Sequence, residues 1–305
     1  MSATEKTDHH PDDGGAPVRK VMRRLRARVF PVACGAPLVL WQGVFYVAPF
    51  LFMVALTFWT VEAFRLTPAL TPDNWTTMLT RGLFWRTYGY SLMAAGIAAV
   101  LVSVLAFPCA YVLALKVSPR ARIFGACLLV TPFFSSYLVR AQTWRTMLGD
   151  RGVVNEAFSY IGLGPYAMVD TLFGTIVGYL ALVFPLVLIL QLISLTFVDR
   201  RLIEAAHNLG CGGLRTIFAV VIPAARIGLV LAAAFAFVLS FGDFISPARL
   251  GGSSPPTMSL LLVDQLRGGF QWPRAAVLAV VMVVTLILVV STALMVAYRT
   301  GGGRK

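Results

Sequence analysis

The chain has 305 residues, of which 58% are apolar and only 13% charged, and its formal net charge is +13. A soluble core needs far less apolar sequence, so these proportions argue against an ordinary globular enzyme and point to a polytopic membrane protein. The basic excess does not indicate a nucleic-acid binder, because no soluble stretch interleaves basic with aromatic residues.

The first thirty residues, with HHPDDGGAP and no apolar periodicity, read as a disordered basic tail (1–30). Adjacent His9 and His10 lack a third ligand, so no metal site is expected there. The cluster from Arg19 to Arg28 is suited to anionic lipid and anchors the apolar run after it. The expected membrane domain covers 31–300, and 301–305 forms a second short tail. Six stretches approach the roughly 20 apolar residues that a hydrocarbon core requires: 36–60, 90–115, 123–146, 172–195, 225–247 and 275–298. The third is the weakest, with Arg140 and Gln142 near its end. The first is too long for the apolar region of a signal peptide, and no small-x-small cleavage site follows it. Cys34, Cys109, Cys127 and Cys211 have no metal-like spacing and do not suggest a disulfide framework.

Basic residues set the expected orientation. Lys6, Arg19, Lys20, Arg23, Arg24, Arg26 and Arg28 precede the first span. Lys116, Arg120 and Arg122 lie between spans two and three, and Arg200, Arg201 and Arg215 between four and five, with Arg226 just beyond. Arg299, Arg304 and Lys305 close the chain. With six spans, all of these fall on one side, so both termini are expected in the cytoplasm. The segments 61–89, 147–171 and 248–274 are expected outside.

One interruption stands out, within residues 199–223. Asp199 is placed to cap RRLIEAAHN, a helix whose Leu202, Ala206 and Leu209 are expected on one face beside Ile203. Gly210 suits the left-handed conformation that ends a helix, and Gly212 and Gly213 loosen the turn. LRTIFAVVI then resumes as helix up to Pro223, which is expected to stop or kink it. By itself this could be an interfacial amphipathic linker. The spacing goes further. Glu204-Ala205-Ala206, three residues, Gly210, nine residues, Val220, one residue, Ile222 and Pro223 resembles the EAA loop of binding-protein-dependent ABC importer permeases. Val and Ile stand where that family often has Ile and Leu.

The resemblance implies an all-α fold of six transmembrane helices, of the type I ABC importer permease kind, in a bacterial inner membrane. It implies that the hairpin is a coupling helix docking on a separate ATP-hydrolysing subunit. The expected partners are a second permease, two ATP-binding subunits and a periplasmic solute-binding protein, with no cofactor held by this chain. No G-x-x-x-x-G-K-[ST] occurs in the sequence, consistent with ATP being bound elsewhere, and no catalytic set is gathered in any polar segment.

TPDNWTTML (71–79), PFFSSYLVRAQTWRTMLGDRGVVNEAF (132–158), FGDFISPARLGG (241–252) and FQWPRAAVLAV (270–280) resemble the first of the two permease types of spermidine/putrescine systems. Relatives with similar spans import iron, phosphonates or opines. A polycation path needs carboxylates and aromatic faces. Asp243 is the candidate, with Phe241, Tyr179, Trp144 and Tyr137 as possible neighbours and Phe244 beside it. The alternative is that Asp243 caps a helix or pairs with Arg249 or Arg140. A self-sufficient secondary transporter is a rival reading, but the sequence shows no convincing internal repeat.

Overall fold

The computed structural model describes residues 37–62, 65–252, 255–268 and 270–299. The sequence expectations for 1–30 and 301–305 lie outside the described residues. The chain divides into two units, 1–55 and 56–305.

The first unit contributes α1 (Pro37–Leu56), long and apolar enough to cross a membrane. Within it Gly43–Val47 form a π turn, closed by the Ala48 N–H on the Gly43 carbonyl, and Trp41 stacks on Phe45. Pro49 follows immediately. A proline ring collides with the carbonyl four residues back, here Phe45, and the wider turn is where that carbonyl lies.

The second unit opens with a hairpin, β1 (Thr60–Glu62) antiparallel to β2 (Arg65–Thr67), with Thr60 opposite Thr67. Helices follow: α2 (Asp73–Leu79), α3 (Gly82–Leu115), α4 (Pro119–Val130), α5 (Tyr137–Leu148), α6 (Val153–Tyr160) and α7 (Leu172–Thr196). After these come α8 (Arg200–Asn208), α9 (Gly213–Gly242), α10 (Ile245–Leu250), α11 (Met258–Arg267) and α12 (Trp272–Arg299). Five helices, α1, α3, α7, α9 and α12, are long and apolar enough to span a bilayer.

The predicted third span, 123–146, is not one helix. Pro119–Phe134 and Tyr137–Tyr160 meet at 89°, and a sixth span exists only if this bent pair is counted as one. The cause is local: Thr131–Phe134 tighten into a 3₁₀ turn containing Pro132, and Ser135 is extended at φ −89°, ψ 144°. Two other boundaries also differ. α3 begins at Gly82 rather than near residue 90, because Phe84 is buried and stacks on Tyr88 before the fully apolar run starts. Nor does Pro223 stop the helix that enters span five. α9 runs through it, with a π turn at Ile217–Val221 closed by the Ile222 N–H on the Ile217 carbonyl. The arrangement repeats that before Pro49.

α3, α7 and α9 form the core. The α3 face is a column of alanines (Ala95, Ala99, Ala106, Ala110) set against Val183, Val187 and Leu188 of α7 and Ala232, Ala236 and Phe237 of α9. In lipid, where the tails are as apolar as the side chains, small residues bring backbones close enough for dispersion and interhelical hydrogen bonds to hold the helices together. Such bonds are present: Gln191 Nε2 donates to the Ser103 carbonyl at 3.1 Å, and Ser194 Oγ to the Ala225 carbonyl at 3.0 Å. At Gly174 a Cβ would lie 2.3 Å from the Leu250 carbonyl oxygen, so α7 and α10 touch backbone to backbone. At the end of α3, Arg122 Nε donates to the Leu113 carbonyl at 3.0 Å and the guanidinium also reaches Ala114, covering carbonyls that a helix end leaves free.

Candidate coupling hairpin and the Asp243 corner

α7 and α9 run in opposite directions, so the hairpin of α8 joins them at one end of the bundle and the Asp243 corner lies toward the other. The hairpin is built almost entirely by local rules. Asp199 sits extended before α8 and its carboxylate accepts the Arg201 N–H at 2.9 Å. α8 ends in a two-bond closure, Gly210 N–H to the His207 carbonyl at 2.9 Å and Cys211 N–H to the Ala206 carbonyl at 3.0 Å. This closure requires a left-handed residue, and Gly210 has φ +80°. No atom lies within 4 Å of where its Cβ would be, so the demand for glycine is conformational rather than steric. Gly212, at φ −66°, carries no such demand.

The buried face of α8 differs from the expected one. Ala206 is buried and Ile203 half-buried, whereas Leu202 and Leu209 face outward. The reason is that Leu209 lies beyond the last helical turn, and α8 rests on the base of α9, where Thr216 is buried and its Oγ1 bonds the Gly212 carbonyl. Glu204, Ala205 and Pro223 are exposed, while Val220 and Ile222 are half-buried in the turn beneath them. Leu209 is 85% exposed, Leu214 75% and Phe218 69%. Exposed large apolar residues on a polar hairpin are of the kind that another protein covers.

At the other end, Asp243 sits between α9 and α10 and is 8% exposed. Its carboxylate takes the N–H groups of Ile245 at 2.8 Å and Ser246 at 3.2 Å, and the Tyr137 hydroxyl donates to the same carboxylate. Tyr137 also bonds Ser246. Asp243 is therefore a helix cap, the alternative weighed from sequence. Neither Arg140 nor Arg249 pairs with it; Arg140 stacks over the Tyr137 ring at 5.9 Å instead. The remaining candidates divide. Tyr179 is buried against Ala94 and Ala98 of α3 and lies within electrostatic reach of Asp243. Phe241 is buried in the main core, stacked on Phe237. Trp144, two turns along α5 from Tyr137, packs on Leu148, Met168 and Leu250. Of the proposed neighbours, Tyr137 is the one that hydrogen-bonds Asp243 among the described residues.

Sequence reasoning missed Asp264. It lies on α11 in a groove of about 410 Å³ with Leu138, Phe244, Leu260, Arg249 and Arg267. No motif marks it; only its helical spacing from Leu260 and Arg267 could have placed it on one face with them. Nearby, Arg145 forms an ion pair with Asp170 at 3.6 Å and donates to the Arg249 carbonyl.

Comparison with known proteins concerns the chain as a whole. Residues 126–300 match the family model of the binding-protein-dependent transport system inner membrane component. The spermidine/putrescine transport system permease protein PotB of Escherichia coli (strain K12) is 26% identical over 262 residues, 85% of this chain and 93% of that protein. The Haemophilus influenzae protein of the same description is 24% identical, over 82% of this chain and 88% of its own. Among solved structures, a bacterial alginate ABC transporter in complex with an alginate pentasaccharide-bound periplasmic protein aligns with a TM-score of 0.69 at 16% identity. It covers 92% of this chain and 98% of the matched chain. That likeness shows the fold, an all-α polytopic membrane architecture. With more than half its length inside the family model, and with helices fit to span a bilayer, this chain belongs to the binding-protein-dependent transport system inner membrane components, the multi-pass permeases of ABC importers.

Proposed function

We propose that this permease carries polyamines of the spermidine and putrescine type, as one half of a permease pair driven by two separate ATP-binding subunits and supplied by a periplasmic solute-binding protein. The hairpin carries the coupling part of this reading. Glu204, Ala205 and Ala206 on α8, the turn at Gly210, and Val220, Ile222 and Pro223 below it together make a small rigid prominence. Its turn is closed by its own backbone bonds, and its exterior offers an exposed carboxylate together with exposed Leu209, Leu214 and Phe218. A helix held this way transmits a push along α9 rather than absorbing it. In the proposed cycle, ATP binding draws the partner subunits together, the paired hairpins follow, and the spans rock to open the path. ATP stays with the partner, and this chain performs no chemistry. The hairpin and both termini would face the cytoplasm, as the distribution of basic residues supports.

The coupling reading is tested with Glu204→Lys. The substitution inverts the charge offered to the partner and leaves helix propensity nearly unchanged. Normal insertion, loss of the co-purifying ATPase and loss of uptake are expected. Retention of both the ATPase and full uptake would reduce the hairpin to a linker.

The solute assignment rests on likeness to the two polyamine permeases and on the carboxylate and ring pairing of Asp243 with Tyr137. One observation favours a second reading. Asp243 is buried and already engaged by three donors, and the accessible groove beside it carries Arg249 and Arg267 against one carboxylate, Asp264. That balance suits an anionic solute such as a phosphonate. Uptake of labelled spermidine and putrescine by the complete wild-type system decides between them; no polyamine uptake, with phosphonate uptake present, would establish the second.

A further inference from the structure

One proline inside a helix accounts for a polar side chain of this bundle. A proline at position n has no N–H, so the carbonyl at n−4 loses its partner, and in lipid no water replaces it. Pro185 lies inside α7 and frees the Ala181 carbonyl. Arg140, from α5, donates to that same oxygen through Nη1 at 3.4 Å. The donor comes from a different element and reaches the one acceptor that the proline left over. Pro247 frees none: it is the third residue of α10, where an N–H would have no partner within the helix, and the first carbonyl taken there is that of Phe244, by Ala248. Pro49 and Pro223 are handled differently, each by the π turn before it.

Besides its contact with the Tyr137 ring, the Arg140 side chain has this one hydrogen bond among the described residues to account for its place. The ion pair found among the described residues is Arg145 with Asp170, not Arg140, and the Arg140 Nε is buried without a partner. A guanidinium among spans is costly, and this one is not repaid by a carboxylate.

We infer that Arg140 and Pro185 are a matched pair in which the side chain replaces the amide the proline lacks, making Arg140 a positioning residue. Arg140 thereby ties the bent segment α5 to the bend of α7. The donor is needed only while its proline is present.

A matched and mismatched double-mutant cycle tests this on the full chain, purified in lipid nanodiscs, with the thermal midpoint as readout. The measurement is independent of which solute is carried. Arg140→Leu leaves one buried acceptor unpaired and is expected to lower the midpoint by about 3–6 °C. In a Pro185→Ala background, where residue 185 supplies its own N–H, the same change is expected to cost less than about 1 °C. Pro247→Ala, a proline that frees no carbonyl, should not relieve Arg140→Leu. A general loss of packing would give equal falls in every background, so only the matched pair should couple. Equal falls with and without Pro185, or relief of Arg140→Leu by Pro247→Ala, overturns the inference. If Arg140→Leu alone does not accumulate in membranes, accumulation becomes the readout. Recovery by Pro185→Ala is then expected, and failure to recover likewise overturns it.

Discussion

Replacing Gly210 by valine probes the hairpin at its most constrained point. The backbone there has φ +80°, and an L-residue in the left-handed region is strained by about 1–2 kcal/mol, more for a β-branched side chain than for others. Nothing stands within 4 Å of the added Cβ, so this strain is the whole direct cost and no clash adds to it. Relief requires the turn to open, which breaks the Gly210–His207 and Cys211–Ala206 bonds and redirects α8 relative to α9. A cost of that size shifts the population of the closed turn by a factor of about 5–30, while spans held by the buried core of α3, α7 and α9 are untouched. Co-purification of the ATPase subunit with the permease, measured beside uptake, is the assay. Gly210→Val should lose most of both at unchanged membrane levels. Gly210→Asn, which tolerates the left-handed region, should lose less, and Gly212→Ala, at φ −66°, should be near neutral. Equal behaviour of Gly210→Val and Gly212→Ala would refute the argument that the left-handed turn sets the hairpin.

Orientation is read by impermeant thiol labelling in a cysteine-free background: cysteine at Tyr160, 84% exposed after α6, should label from outside, and cysteine at Leu214, 75% exposed, should not. Gly174→Ala forces a Cβ onto the Leu250 carbonyl oxygen, a backbone atom that does not swing away, and should cost about 1–3 kcal/mol in thermal or denaturant stability. Gly96→Ala, with nothing within 4 Å, serves as its neutral control in the same measurement. Asp243→Asn keeps a capping oxygen but removes the charge that faces Tyr137 and two N–H groups, so stability should fall by about 0.5–1 kcal/mol. A drop in polyamine uptake well beyond what that stability loss explains would place the carboxylate on the solute's route; uptake that merely tracks stability would leave it a cap.

Local chemistry made the hairpin legible. Asp199, Gly210 and the spaced EAA elements act through neighbours within a few residues, and such signals survive in sequence without knowledge of the fold. The apolar spans were equally legible, since hydropathy depends on composition alone. The third span was not, because its break at Ser135–Ser136 depends on dihedral choices that serine and proline permit without dictating. The Asp243 neighbourhood was legible only in part: Tyr137 bonds it and Tyr179 lies within its electrostatic reach, while the other two candidates do not gather there. Aromatics close in sequence or in adjacent spans were natural companions for a carboxylate. Yet Phe241 points into the main core, and Trp144 belongs to the cluster with Met168, because their directions are fixed by which helix faces meet. Arg140 was weighed from sequence as a partner for Asp243; it donates instead to a backbone oxygen 41 residues away, freed by a proline inside α7.

The π turn at Ile217–Val221 also sets a phase. One residue inserted into an α-helix advances everything beyond it by roughly 100° of rotation. On one side of the insertion, Thr216 faces α8; on the other, Ala225, Ala232 and Ala236 face the alanine column of α3 and the valines of α7. An uninterrupted helix would couple these two directions rigidly through its 3.6-residue period. The inserted residue uncouples them, so the azimuth of the prominence can be tuned toward one partner while the membrane-embedded packing keeps its own registry.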